Sequence, residues 1–240
     1  MSRRRLRLLL TPVVLAVATA LIVAWAHRGA DVAELGVLRT GRLWVRVREH
    51  VALCAVSTAL AVAAAVPAGV AATRPGLRRL ASPLLFVANV GQSVPTIAVL
   101  ALAFSVTGIG FRTAVIGLWA YSLLPVLRNT VAGLGGVDPA VVEAARGMGM
   151  SPAQILRRVE LPLAWPVLAA GVRTAAVVNV GTAALATFVG AGGLGALIVV
   201  GLDNQRDRIL YTGAALTAVL ALAVDWAVAA LADLSGGGSR

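Results

Sequence analysis

The chain has 240 residues, of which 59% are hydrophobic, and its mean hydropathy is +0.90. Soluble domains contain about 45–50% apolar residues, so this composition excludes an ordinary soluble protein. The net charge of +11 indicates loops held at an anionic membrane surface rather than a nucleic-acid partner.

Long apolar runs without charged side chains predict membrane-spanning helices, and several reach the roughly 20 residues that a crossing requires. In lipid, each backbone N–H and C=O has to be paired within its own segment, which favours helices. The predicted fold class is an all-α, polytopic transmembrane helical bundle of about six spans. These spans are predicted at residues 8–26, 51–73, 82–106, 113–134, 164–188 and 209–231.

Arginines are concentrated in the segments that this arrangement places on one side of the membrane, namely 2–7, 74–79 and 135–163. Cytoplasmic loops carry an excess of basic residues. We therefore predict a multi-pass protein of the bacterial inner membrane, surrounded by lipid, with both termini in the cytoplasm.

Residues 1–50 are predicted to form a first span followed by an interfacial segment. Although 27–50 should lie outside, it contains five arginines, and three of them share one helical face with Glu49. That pattern is typical of a helix lying in the membrane interface. The first apolar run could also be a signal peptide, because Ala24-Trp25-Ala26 resembles a cleavage site. Its 19 residues exceed the usual apolar length of about 7–15, which favours a retained helix.

The segment 135–163 carries explicit helix start and stop signals. They are an N-cap with first-turn proline at Asp138-Pro139, stop glycines at Gly147 and Gly149, and a capping box at Ser151 and Gln154. The second helix is expected to end before Pro162, since a proline disfavours helix at the preceding residue. Two capped helices around a glycine turn form a rigid element that a partner can approach. The alternative is a helical hairpin that lies in the membrane interface and binds no partner.

Seven residues of this segment match, at fixed spacing, the "EAA" signature of binding-protein-dependent ABC importer permeases, which the segment resembles. Val159 stands where the family usually has isoleucine. The resemblance implies a type I ABC importer permease domain at 51–234, a coupling loop at 135–163 and a tail at 235–240. It implies ATPase coupling by Glu143, Ala144, Ala145, Gly149, Ser151, Leu161 and Pro162.

Residues 51–202 more narrowly resemble the permease subunits of glycine betaine, carnitine and choline importers. Methionine-type permeases share the architecture and are an alternative. The resemblance implies an extracytoplasmic solute-binding protein, a second permease subunit, and ATPase subunits that hold ATP and Mg²⁺, with no cofactor in this chain. It is carried by Tyr121–Pro125, Arg128–Thr130, Val137–Pro139, Glu143–Met150, Gly171–Ala175, Asn179–Gly181 and Gly190–Gly195.

Polar residues inside the spans are candidates for the solute path. Asn89, Gln92 and Ser93 lie within five consecutive residues, just before a predicted helix break at Pro95. A polar stripe beside such a break lines the path in transporters, whereas hydrogen bonding between helices is the alternative. Asn179, in the fifth predicted span, is a further candidate for the path.

Two opposite charges lie in late spans. Arg173 could extend its side chain back to the cytoplasmic surface or pair with Asp225. Both histidines, His27 and His50, are predicted to lie outside the spans. The sequence contains no predicted metal cluster and no catalytic or phosphate-binding motif, which disfavours a polytopic membrane enzyme. A self-sufficient channel or secondary transporter would need no ATPase-docking signature.

Overall fold

The computed structural model describes residues 3–236 and the side chains of residues 10–234. The predicted tail at 235–240 and the arginine-rich start lie outside the residues whose side chains are described. Eleven α-helices are present in the described part. They are α1 (Arg3–His27), α2 (Val32–Leu38), α3 (Thr40–Thr73), α4 (Ala81–Ser93), α5 (Thr96–Thr107), α6 (Phe111–Gly135), α7 (Pro139–Gly147), α8 (Pro152–Ile155), α9 (Leu161–Thr182), α10 (Gly195–Asp203) and α11 (Asp207–Gly236).

Five described helical segments are long and apolar enough to cross a membrane, and α4 with α5 makes a sixth if the two form one span. These six segments confirm the all-α, polytopic fold class. The third predicted span is not straight, because α4 and α5 meet at an angle of 96°. Val94 and Pro95 both adopt extended ψ angles of about 130° at the break. The proline lacks an N–H and disfavours helix at the residue before it, which explains the bend.

The helix that contains the second predicted span begins before residue 51. Helix α3 has 34 residues and starts at Thr40, so the basic residues of the predicted interfacial segment belong to the same helix as the span. At about 1.5 Å per residue it is about 51 Å long, whereas the hydrocarbon core is about 30 Å thick. Helix α3 is therefore longer than a membrane crossing requires, and no proline interrupts it before Pro67, so the boundary of the span at residue 51 stays a prediction.

Helices α3, α6 and α9 form the centre of the bundle, while α11 packs against α9 and α1 packs against α11. Small residues allow this close approach, as is common between helices in membranes. A Cβ on Gly171 would lie 2.5 Å from the Cβ of Asn129 and 2.8 Å from the Pro125 carbonyl oxygen. We call the end of the bundle where α3 and α6 finish and α9 begins the coupling end.

At the opposite end, arginines of the α10–α11 loop and of α11 hold the N-terminal helices. Arg208 donates to the carbonyl oxygens of Trp25 (2.8 Å) and Arg28 (2.5 Å), which lie at the end of α1. Its guanidinium carbon is 5.0 Å from the centre of the Trp25 ring. Arg206 is ion-paired with Asp31. The backbone N–H of Glu34 and then this guanidinium lower the pKa of the Asp31 carboxyl.

Candidate coupling site and solute path

The predicted caps of the coupling loop are confirmed in the structure. Asp138 Oδ1 accepts a hydrogen bond of 2.8 Å from the N–H of Ala140 at the start of α7. At the start of α8, the Ser151 N–H donates to Gln154 Oε1 (2.8 Å) and the Gln154 N–H donates to Ser151 Oγ (3.4 Å). Both caps pair backbone donors that a helix start otherwise leaves unpaired, so the first turns of α7 and α8 are fixed.

The prediction that the second helix ends before Pro162 is wrong. A π-helical turn at Leu156–Glu160 joins α8 to α9, and the Leu161 N–H bonds to the Leu156 carbonyl oxygen. Pro162 lies in the first turn of α9, where the missing N–H is tolerated. The chain is therefore helical from α8 through α9, so α8 continues directly into a candidate membrane span.

The turn between α7 and α8 presents an exposed surface of mostly small residues. This coupling surface consists of Glu143, Ala144, Gly147, Met148 and Gly149. Gly149 has a φ of +79°, which favours glycine, and a Cβ there would meet no atom within 4 Å. Glu143 Oε1 accepts from Arg146 Nη1 at 2.8 Å, and each side chain is 64% exposed. The surface therefore offers an exposed ion pair beside small residues to which a partner can approach closely.

The other four predicted coupling residues support this surface or flank it. Ala145 is buried beneath it, with 2% exposure, and Ser151 forms the cap of α8. Leu161 packs against the buried cluster of Leu134, Ala164 and Leu168 at the coupling end, whereas Pro162 is exposed. The structure thus separates a contact surface from the residues that anchor it, and ATPase coupling by these residues stays a prediction.

The polar residues of α4 do not share one environment. Asn89 and Ser93 are exposed, and their side chains donate to the carbonyl oxygens of Leu85 and Asn89 within the same helix. Gln92 points to α6, where Nε2 donates to the Tyr121 carbonyl oxygen (2.8 Å) and the Tyr121 hydroxyl donates to the Gln92 carbonyl oxygen (3.1 Å). Gln92 therefore links α4 to α6 beside the break, whereas Asn89 and Ser93 face outward.

Asn179 lies inside the bundle and is fully buried. Its Nδ2 donates to Ser57 Oγ (3.0 Å) and Thr58 Oγ1 (2.9 Å) of α3, which joins α9 to α3. Its Oδ1 accepts no hydrogen bond from the part of the chain that is described. A role of Asn179 in the solute path stays a prediction, and it requires α3 and α9 to separate.

Arg173 of α9 and Asp225 of α11 form a two-point ion pair. Arg173 Nε donates to Asp225 Oδ1 and Nη2 donates to Oδ2, both at 2.5 Å. The two side chains are 46% and 35% exposed on the side of the bundle. The sequence left open whether Arg173 extends to the cytoplasmic surface or pairs with Asp225. In the structure it pairs with Asp225. Each charge is compensated by the other, as an ionisable side chain within a span requires.

Sequence reasoning missed a set of contacts between α3 and the glycine-rich turn at 190–194. The Gly193 N–H donates to Glu49 Oε2 at 2.8 Å, and the Leu194 N–H donates to His50 Nδ1 at 3.2 Å. The other ring nitrogen, Nε2, lies 2.9 Å from the Val180 carbonyl oxygen of α9. His50, which the sequence predicted to lie outside the spans, is fully buried within α3. Adjacent Glu49 and His50, directly before an apolar run, were the available signal.

Among residues 3–236, no group of histidine, cysteine, aspartate or glutamate side chains has an arrangement that could hold a metal ion.

Residues 65–234 match the family described as "Binding-protein-dependent transport system inner membrane component". The chain belongs to this family. The permease is 39% identical over 189 residues to the choline transport system permease protein OpuBB of Bacillus subtilis, covering 79% of this chain and 86% of that protein. It is 43% identical over 178 residues to the osmoprotectant import permease protein OsmY of Salmonella typhimurium, covering 74% and 75%.

A solved structure supports the same fold. The permease superposes on a chain of the MetNI methionine ABC transporter in an inward-facing conformation with a TM-score of 0.70. The match covers 80% of this chain and 95% of that chain, at 27% sequence identity. The resemblance predicted from the coupling loop is therefore confirmed at the level of the family.

Proposed function

We propose that this permease forms the translocation path of an ATP-driven importer for an osmoprotectant such as glycine betaine, choline or carnitine. The observation that carries the proposal is the coupling surface, which lies on a capped helix pair whose second helix continues into the α9 span. Relatives named as choline, carnitine and osmoprotectant permeases support this class of solute.

In this proposal, ATPase subunits dock on the coupling surface and hold ATP and Mg²⁺. The coupling surface presents small side chains beside the Glu143–Arg146 ion pair, which suits contact with a protein. When the ATPase subunits close, they push α7 and α8, and α9 moves with α8 because the helix is continuous. The spans then rock and open the path to alternate sides, and this chain contributes no catalytic residue.

A solute-binding protein docks at the opposite end of the bundle, and a second permease subunit completes the path. Two separate permease proteins named for choline transport, OpuBB and OpuBD of Bacillus subtilis, support pairing with a paralogue as an alternative to a homodimer. We place the protein in the bacterial inner membrane with both termini in the cytoplasm. The arginines of 2–7 and 74–79 support this orientation.

A methionine-type importer is the second candidate, favoured by the superposition on the MetNI chain. Uptake by proteoliposomes that contain the complete transporter tests both candidates. Labelled glycine betaine, choline and carnitine are expected to accumulate only with ATP and the binding protein, and methionine should not compete. Accumulation of methionine instead would contradict the proposed solute class, and accumulation of every solute without ATP would contradict the ATP-driven mechanism.

We further propose that Asn89 and Ser93 line the path, whereas Gln92 holds α4 against α6 beside the break at Pro95. The test is a scan of positions 86–98 with single cysteines and a water-soluble thiol reagent, with Cys54 replaced by alanine. Cysteines at 89 and 93 are expected to react, and the reaction should be faster in one of two states, nucleotide-free or ATP-bound. The exposed Val87, which is 68% exposed on the same helix, is the matched control for a lipid-facing position. If 89 and 93 stay unlabelled in both states, they do not face water and the path lies elsewhere.

A further inference from the structure

We propose that the ion pair between Arg74 and Glu160 is a positioning contact that passes movement of the coupling helices to α3 and α4. This inference rests on the proposed function. Arg74 is the C-cap residue of α3, and Glu160 ends the π-turn between α8 and α9. Arg74 Nη1 lies 2.8 Å from Glu160 Oε2, so the pair joins two helices that are far apart in the sequence.

Glu160 depends on this partner because of its burial. The residue is 8% exposed, and its Oε2 accepts no hydrogen bond of normal geometry from the described residues. A buried carboxylate is unfavourable unless an opposite charge compensates it. The Arg74 guanidinium supplies that charge, and its own side chain is 32% exposed. Glu160 therefore cannot move far with α8 unless Arg74 follows it or the charge is left without compensation.

Arg74 is in turn anchored to the last turn of α3. Its Nε and Nη2 donate to Thr73 Oγ1 at 3.3 and 3.0 Å, and the Thr73 hydroxyl donates to the Val70 carbonyl oxygen at 2.8 Å. A chain of polar contacts thus runs from the α3 backbone to Glu160. Val70 also packs on the buried cluster at the coupling end, beside Leu161.

The position of Arg74 extends the connection to the candidate path. Arg74 ends α3, and the short loop after it leads through a 3-10 turn at Arg78–Leu80 directly into α4. Helix α4 carries the exposed Asn89 and Ser93. A displacement of α8 that moves Glu160 is therefore transmitted to the end of α3 and the start of α4, in addition to the direct path through α9.

The test compares variants of the complete reconstituted transporter, measuring solute uptake and ATP hydrolysis in the same proteoliposomes. Arg74→Ala and Glu160→Gln are each expected to lower the solute transported per ATP hydrolysed by at least about fivefold, the lower end of typical coupling between sites. The charge exchange Arg74→Glu with Glu160→Arg should restore part of the ratio, and Arg74→Lys should retain most of it. Arg79→Ala, an exposed arginine of the same loop, is the matched control and should keep the wild-type ratio.

A structural role alone would lower protein yield while leaving the ratio of transport to hydrolysis unchanged, and that result would overturn the inference. If Arg74→Ala does not fold, the charge exchange and Arg74→Lys still decide it, since only a positioning contact predicts a ratio that follows the charges. If a bulky substitution at Gly149 uncouples the transporter while the Arg74 and Glu160 variants do not, this inference fails alone. If none of these variants affects coupling, the proposed function of the coupling surface fails with it.

Discussion

Replacing Gly149 by tryptophan is expected to leave membrane insertion intact and to remove most ATP-driven uptake. A Cβ at this position would meet no atom of the chain within 4 Å, so the indole ring would project from the coupling surface into the space of a docking partner. Disrupting a central interface position costs about 2 kcal/mol or more, which is roughly thirtyfold in affinity. Uptake and ATP hydrolysis in proteoliposomes, together with co-purification of the ATPase subunits, measure the effect.

Gly149→Ala is the control for backbone strain, because the φ of +79° disfavours any side chain by roughly 1–2 kcal/mol. The alanine variant adds little volume, so it should retain much more ATPase binding than the tryptophan variant. Equal losses in both variants would assign the effect to the turn conformation. Normal solute-stimulated ATP hydrolysis in the tryptophan variant would show that the coupling surface is not the docking site.

Neutralising Asp225 alone is expected to reduce the amount of folded protein strongly. The change Asp225→Asn leaves the Arg173 guanidinium without its two 2.5 Å contacts, in the middle of the α9 span. An unpaired charge at the centre of a span costs about 2.5–3.5 kcal/mol on insertion scales. Arg173→Gln should have a similar effect, and the double variant should recover part of the yield, because no charge is then left alone. Membrane yield and monodispersity in detergent measure the result.

Asp31→Asn is the matched control for this pair. Asp31 is also ion-paired with an arginine, but it lies outside the spans and its side chain is 53% exposed. Exposed ion pairs contribute about 0–1 kcal/mol, and asparagine retains the N-cap of α2, so the yield should change little. A double Arg173 and Asp225 variant that is as poor as the two single variants combined would show that the two side chains act independently.

Much of the fold follows from local features of the sequence. Apolar runs of span length have one stable form in lipid, and the caps at Asp138 and Ser151 need only the residues beside them, so these features could be predicted. The break at Pro95 was predicted for the same reason, but its angle of 96° was not. The start of α3 at Thr40 was not predicted, because the charge pattern indicated a separate interfacial helix before residue 51, whereas the structure has one continuous helix.

Features of the candidate site that depend on neighbouring residues in the sequence could be predicted. Contacts that depend on the packing of two helices could not. The predicted coupling residues occur in one segment, and the resemblance of that segment to a family signature implied their role. Gln92 and Asn179 were recognised as polar residues within spans, but their partners Tyr121, Ser57 and Thr58 lie on other helices. Which side of a helix faces a neighbour depends on the rotation of both helices, and no short stretch of sequence contains that information.

By itself, the sequence determined the class of the molecule, the helical nature of its spans and the capped coupling segment, because these features depend on interactions within about one helical turn or with lipid. Only the tertiary structure decided that Glu49 and His50 hold the glycine-rich turn and that Arg74 compensates Glu160. Such contacts form only when two helices place their charged and polar groups at the same level along the bundle axis. The close packing of small residues between the helices determines how the helices are aligned along that axis.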